Sequence, residues 1–182
     1  MKKRVINFLI ITLPIVVGFL GLGEAYLRLL APQDMSGAWF DEGPRGLVLN
    51  KAQGTARHQF ENRVVTYRFN RFHQRGGELQ EGIPRVLVVG DSFTFGWLLD
   101  ERHSPPALLQ AAADRDFGAG RVAFLNAGTG GWGLDSYLAY LEIFGDAIGA
   151  KAVIISLNGD SFRRAMRNGL YAVAAPGSTD LL

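Results

Sequence analysis

An α/β fold with an open, doubly wound parallel sheet is what this sequence predicts, led by one helix long enough to span a membrane. Three observations carry that expectation. Residues 5–23 form an uncharged run dominated by Ile, Leu, Val and Phe. From Arg85 onward, short apolar runs alternate with helical patterns in the order β-α-β-α-β. Each of the three apolar runs ends in a loop of small and polar residues, and a parallel sheet gathers such loops at the carboxyl ends of its strands.

The N-terminal run comes first. Its 19 residues, at 1.5 Å each, give roughly 28 Å of helix, close to the hydrocarbon thickness of a bilayer. Lys2, Lys3 and Arg4 precede the run, while Glu24 and Arg28 follow it. That bias predicts a cytoplasmic N-terminus and an extracytoplasmic (periplasmic) remainder, anchored to the cell membrane by a single pass. A cleaved signal peptide is the competing reading. Gly21 and Gly23 suit the small positions before a cut, but the run is long for such a segment and lacks Ala-x-Ala. Residues 24–30 continue the helix to the interface, with Pro32 as its stop.

Composition narrows the rest. The 19 Lys and Arg against 17 Asp and Glu give +2, but the basic tip supplies three of those positives. Without it the balance is slightly acidic, so nothing points to a nucleic-acid partner. Cysteine is absent, which excludes disulfides, thiolate zinc sites and a cysteine nucleophile. No His/Asp/Glu cluster has metal-ligand spacing, and neither phosphate-binding glycine pattern follows a strand, so neither metal nor cofactor is expected. The chain divides into residues 1–31 (basic tip and anchor), 32–84 (linker and irregular or β extension) and 85–182 (α/β domain).

Within the extension, Val64-Val65-Thr66-Tyr67-Arg68-Phe69 reads as a strand. Val86-Leu87-Val88-Val89 reads as a strand buried on both faces. Ser104-Pro105 opens a helix with Ser as N-cap and Pro in the first turn. Val122 to Leu125 is a second strand. Residues 134–144 form a second helix with Leu134, Leu138 and Leu141 on one stripe, and residues 152–157 a third strand.

The chemistry lies in the three loops. Gly90-Asp91-Ser92 follows the first strand, and a Ser there can expose its hydroxyl on a tight turn while following backbone N–H groups face an oxyanion. Asn126-Ala127-Gly128-Thr129-Gly130-Gly131 follows the second, where a glycine admits close substrate approach. Asn158-Gly159-Asp160-Ser161 follows the third, where an Asn side chain can donate to the same oxygen. Phe93, Phe95, Trp97 and Trp132 flank these loops, as sugar-stacking residues or as core. Arg163, Arg164 and Arg167 suit either an anionic substrate or a solvated helix face.

These blocks, over residues 85–162, resemble the SGNH/GDSL hydrolase superfamily, a group of serine esterases and acyltransferases. The resemblance implies Ser92 as nucleophile, with its own amide, Gly131 and Asn158 forming the oxyanion hole and Asp91 organising the nucleophile turn. The third block departs from Gly-x-Asn-Asp, with Ser156 in the Gly position and Gly159 between Asn158 and Asp160. Residues 67–76 resemble a strand-turn found upstream in membrane-anchored members, with His73 where a Gly is usual. An acylated carbohydrate of the cell envelope is the implied substrate.

The family's Asp-x-x-His is missing after Asn158. His58 and His73 precede the nucleophile and His103 leads into the first helix, each expected as a surface or turn residue. Without a base, Ser92 is a weak alcohol. The expectation is therefore the N-terminal portion of a longer enzyme, with little or no hydrolase activity as given. A non-catalytic scaffold of the same fold, or an inactive truncated product, is the alternative. The third strand is expected mid-sheet with nothing beside it, an aggregation liability.

Overall fold

The computed structural model describes residues 2–30, 34–175 and 178–181. The chain forms two compact units, residues 1–35 and 36–182. In the first, α1 (Lys2–Leu29) is one helix with Pro14 inside it and an Arg28–Glu24 ion pair of 2.6 Å near its end. Its stretch Ile6–Leu29 is long and apolar enough to cross a membrane. Pro32, expected to stop it, lies outside the described residues.

In the second unit, β1 (Phe40–Glu42) pairs antiparallel with β2 (Val48–Asn50), and β3 (Gly54–Phe60) with β4 (Arg63–Phe69). There follow β5 (Arg85–Gly90), α2 (Ser92–Phe95), α3 (Pro105–Phe117), β6 (Ala123–Gly128), α4 (Leu134–Ile148), β7 (Ala152–Ile155) and α5 (Asp160–Asn168). A last antiparallel pair joins β8 (Tyr171–Ala175) to β9 (Ser178–Leu181). The central sheet is parallel throughout, in the order β6-β5-β7. Arg75 bridges Phe69 of β4 and Asn126 of β6, both antiparallel, and so ties the β3–β4 hairpin to the β6 edge.

Residues 36–84 are thus more than a linker. Leu47 and Leu49 are buried with Leu87 and Val89 of β5 beneath Tyr137, Tyr140 and Ile148 of α4. Trp39, Val65, Tyr67 and Phe69 form a second cluster with Phe95 of α2. The extension is therefore wall and core of the same unit as the parallel sheet.

Three local expectations need correction. The leucine stripe of α4 is buried only in part, with Leu134 and Leu141 half-buried against the core. Leu138 is exposed, and Tyr137 and Tyr140 are buried instead. Each tyrosine finds a polar partner: Tyr140 Oη donates to the Phe72 carbonyl at 2.7 Å, and Tyr137 Oη lies 3.4 Å from Ser161 Oγ. Ser104 takes the N-cap position of α3, but its hydroxyl donates to the Glu101 carbonyl at 2.8 Å instead of capping the helix. His58 is no surface residue; it is fully buried.

β7 has a hydrogen-bonded neighbour on one side only among the described residues, and all four of its residues are exposed. The sheet's apolar runs share a composition yet differ in burial. β5 is sandwiched; β7 is open on both faces.

His58 sits among Trp39, Trp97 and Tyr67, with ring centroids 5.0, 5.3 and 5.8 Å away. Its Nε2 lies 2.6 Å from Ser36 Oγ and its Nδ1 2.9 Å from Tyr67 Oη. Burial pushes its pKa below the ordinary value of 6.5. The unfolded chain then binds the proton more readily than the native one. Stability is full above pH 6.5 and falls as pH drops toward the native pKa, by at most about 1.4 kcal/mol per pH unit from this residue. Thermal melts between pH 7 and 5 are expected to show that slope, and His58→Gln to flatten it. An equal slope in both proteins would contradict the assignment.

Candidate active site

The site begins where β5 and β6 end. Gly90 closes β5, and a Cβ there would collide with the Thr94 side chain; a Cβ on Gly128, closing β6, would strike the backbone of Phe95. These two contacts let α2 sit directly on the strand ends. Asp91 is its N-cap, with Oδ1 accepting the Phe93 N–H at 2.9 Å. Ser92 is the first residue of the turn. Neither its Oγ nor its N–H makes a hydrogen bond among the described residues.

The second loop lies alongside. The Thr129 N–H donates to the Gly90 carbonyl at 3.1 Å, fixing the loop to the end of β5. Asn50 secures it from below, its Nδ2 lying 3.1 Å from the Gly128 carbonyl and 3.0 Å from Thr129 Oγ1. The chain then turns through Gly131 at φ +84°, a conformation that strains a residue with a Cβ. The N–H groups of Gly130 and Gly131 are also unbonded among the described residues.

Ser92 and Gly131 line one cavity of about 610 Å³, walled by Phe40, Phe93, Trp97 and Leu99. A second cavity of about 410 Å³ also reaches Phe40, Gly130 and Gly131, and is lined further by Ser136, Arg167 and Asn168. The Gly130–Gly131 segment is the wall common to both.

Asn158 is placed differently. It does not line either cavity. Its Nδ2 donates to Asp91 Oδ2 at 2.5 Å, and its Oδ1 accepts the Asp160 N–H at 2.9 Å, capping α5. One of its two amide protons is thus committed to Asp91. Asp91 is only 2% exposed and takes a third partner, Arg164 Nη1, at 2.6 Å. The carboxylate therefore joins the Ser92 turn, the third loop and α5.

The aromatic and arginine groups each divide. Phe95 and Trp132 are core, with Trp132 Nε1 donating to the Val48 carbonyl at 2.5 Å, whereas Phe93 and Trp97 line the cavity. Arg163 pairs with Asp160 at 2.8 Å, Arg164 is spent on Asp91, and Arg167 reaches the second cavity. Sequence reasoning missed Phe40 and Asn50, which reach the site only through tertiary contact, and did not foresee that Arg164 pairs with Asp91.

No histidine is hydrogen-bonded to Ser92 among the described residues. His58 is held between Ser36 and Tyr67, and His73 Nδ1 lies 2.5 Å from the Asn50 carbonyl. His103 lies 3.8 Å from Asp100. His73 has φ +60°, in the left-handed region that a residue with a Cβ seldom adopts. Among the described residues there is no group of three His, Cys, Asp or Glu able to hold a metal ion.

No protein-family model matches the chain, and no curated protein matches it. Among solved structures, the chain is similar to AlinE4, an SGNH-hydrolase family esterase, at 28% identity and a TM-score of 0.39. That match covers 48% of this chain and 46% of the esterase. Two point variants of the same esterase match alike, at 28% and 27% identity with TM-scores of 0.39 and 0.38. The matched part is thus less than half the length of each esterase chain.

Proposed function

We propose that residues 36–182 carry the nucleophile half of an SGNH-type serine esterase or acyltransferase, held at a membrane by α1 with this unit on the extracytoplasmic side. The observation that carries the reading is the convergence at one cavity of an unbonded hydroxyl, Ser92 Oγ, and two unbonded backbone donors, the Ser92 and Gly131 N–H groups. Donors already aimed where charge develops are the largest single contribution to acyl transfer in many enzymes.

The chemistry follows from those groups. Ser92 Oγ attacks the ester carbonyl and gives its proton to a base. The two N–H groups, with the remaining Asn158 amide proton as a third, hold the oxyanion. The bond to the alcohol breaks and the alcohol leaves with that proton. Water or a sugar hydroxyl then takes the acyl group from Ser92. The second cavity, which offers Ser136, Arg167 and Asn168 among apolar walls, suits the alcohol component, which we assign to a cell-envelope carbohydrate. Among the described residues no base is hydrogen-bonded to Ser92 Oγ.

The test supplies that base. With imidazole in solution, the chain is expected to hydrolyse 4-nitrophenyl hexanoate at a rate above that of imidazole alone, and Ser92→Ala to lose the excess. A second reading, a non-catalytic binding protein on the same fold, is favoured by the engagement of all three histidines with partners other than Ser92. No excess rate, with polysaccharide binding retained, would select it.

A further inference from the structure

The cavity beside Ser92 is unusual in what it lacks. Apart from the Ser92 hydroxyl, every side chain lining it is a hydrocarbon or aromatic group: Phe40, Phe93, Trp97 and Leu99, with glycines between. Phe93 is 71% exposed and Leu99 36% exposed, so apolar surface is held open to solvent directly beside the candidate nucleophile. Burying sugar hydroxyls against such walls would leave them unpaired, at a cost of roughly 1–3 kcal/mol each. The cavity's 610 Å³ is well within the range of small-ligand sites and far larger than an acetyl group needs.

Gly130 keeps this space open. A Cβ there would stand 2.7 Å from the Trp97 ring and 2.9 Å from the Phe40 ring. Unlike Gly131, it does not sit at a positive φ, so its glycine is required by the space and not by the backbone. A larger side chain would grow from the wall between the two cavities.

Resting on the reading of Ser92 as nucleophile, we infer that the transferred group is an apolar acyl chain several carbons longer than acetyl. It lies against Phe40, Phe93, Trp97 and Leu99, with its carbonyl at Ser92 and Gly131 and its alcohol across Gly130–Gly131 in the cavity that holds Ser136, Arg167 and Asn168. Specificity for the acyl group is set by the space that Gly130 leaves and by the apolar rim at Phe93.

The test separates the pocket from the nucleophile by reading binding. Acetate, butanoate and hexanoate, the acids such esters would release, are titrated calorimetrically into the full chain in lipid nanodiscs. Affinity is expected to rise about fourfold per added methylene, the fold-change given by ~0.8 kcal/mol per buried CH₂. The same rise is expected in Ser92→Ala. It should flatten in Gly130→Leu, which fills the cavity. Phe93→Asp, at an exposed position where folding is undisturbed, should flatten it too. These variants share the nanodisc, so partition into lipid cancels between them. Equal affinities across the series in the unaltered chain, or an undiminished rise in both pocket variants, would overturn the inference. A chain-length rise without Ser92-dependent ester turnover would uphold the pocket and sink the nucleophile. Turnover with a flat series would do the reverse.

Discussion

Replacing Arg75 by Met is expected to cost the 36–182 unit about 4 kcal/mol, the largest effect of any single substitution considered. Arg75 is 3% exposed and has no carboxylate partner among its hydrogen bonds. Its guanidinium instead donates to the carbonyls of Phe95, Gly96 and Leu99 at 2.7, 2.7 and 2.6 Å. Those three carbonyls end the turn that begins at Ser92, so one cation closes the nucleophile turn from behind. The guanidinium also lies 4.6 Å from the Tyr67 ring centroid and 5.1 Å from that of Phe95. Met can fill the volume but removes all three donations, leaving Phe95 only Asn126 Nδ2 at 3.3 Å and Gly96 only the Leu99 N–H at 3.0 Å. Lys keeps the charge, yet a single ammonium cannot span the three acceptors as the planar fork does. Thermal unfolding should show a fall of roughly 10 °C for Arg75→Met, with Arg75→Lys recovering less than half. A loss under 2 °C would mean that the turn does not depend on this residue.

Asp91→Ala is expected to cost about 3 kcal/mol and to lower Ser92-dependent turnover together with stability. Its carboxylate receives the Phe93 N–H, Arg164 and Asn158 within 2.5–2.9 Å. Removing it leaves Arg164 with Asp160 at 3.8 Å, a much weaker contact in a side chain that is 18% exposed. It also frees the Asn158 amide and loosens the first turn of α2. A double-mutant cycle between Asp91→Asn and Arg164→Met isolates the ion pair, and a coupling above about 1 kcal/mol is expected. Additive losses would show that the carboxylate works through Phe93 and Asn158 alone.

Much of this arrangement was legible in the residues, and what was not has physical causes. β5 and β6 follow from short apolar runs, and α3 from Ser104-Pro105, because those signals are local. β1 and β2 are three residues each, too short to show a period, and Leu49 of β2 is buried by joining β5 and α4 residues in one cluster. On α4, Leu134 and Leu141 do pack against the core, but Leu138 does not, and the fully buried tyrosines have distant partners in Phe72 and Ser161. β7 has the composition of a buried strand, yet burial depends on neighbours that composition does not supply. For the site, Ser92 and Gly131 were readable as motif residues. Asn158 was readable only in part, since its tie to Asp91 spans 67 positions. Arg75, Asn50 and Arg164 carry no motif; their roles exist only once distant segments meet.

The most direct measurement is peptide mapping by mass spectrometry after the chain meets an alkyl fluorophosphonate in the presence of imidazole. Displacement of fluoride by Ser92 Oγ leaves a phosphonyl group on that residue, with the proton passing to imidazole. The account predicts one adduct, on Ser92, that depends on imidazole and disappears in Ser92→Ala. Adducts spread over other serines, or an unmodified Ser92 in the folded chain, would contradict the claim that this loop presents a nucleophile in an oxyanion site.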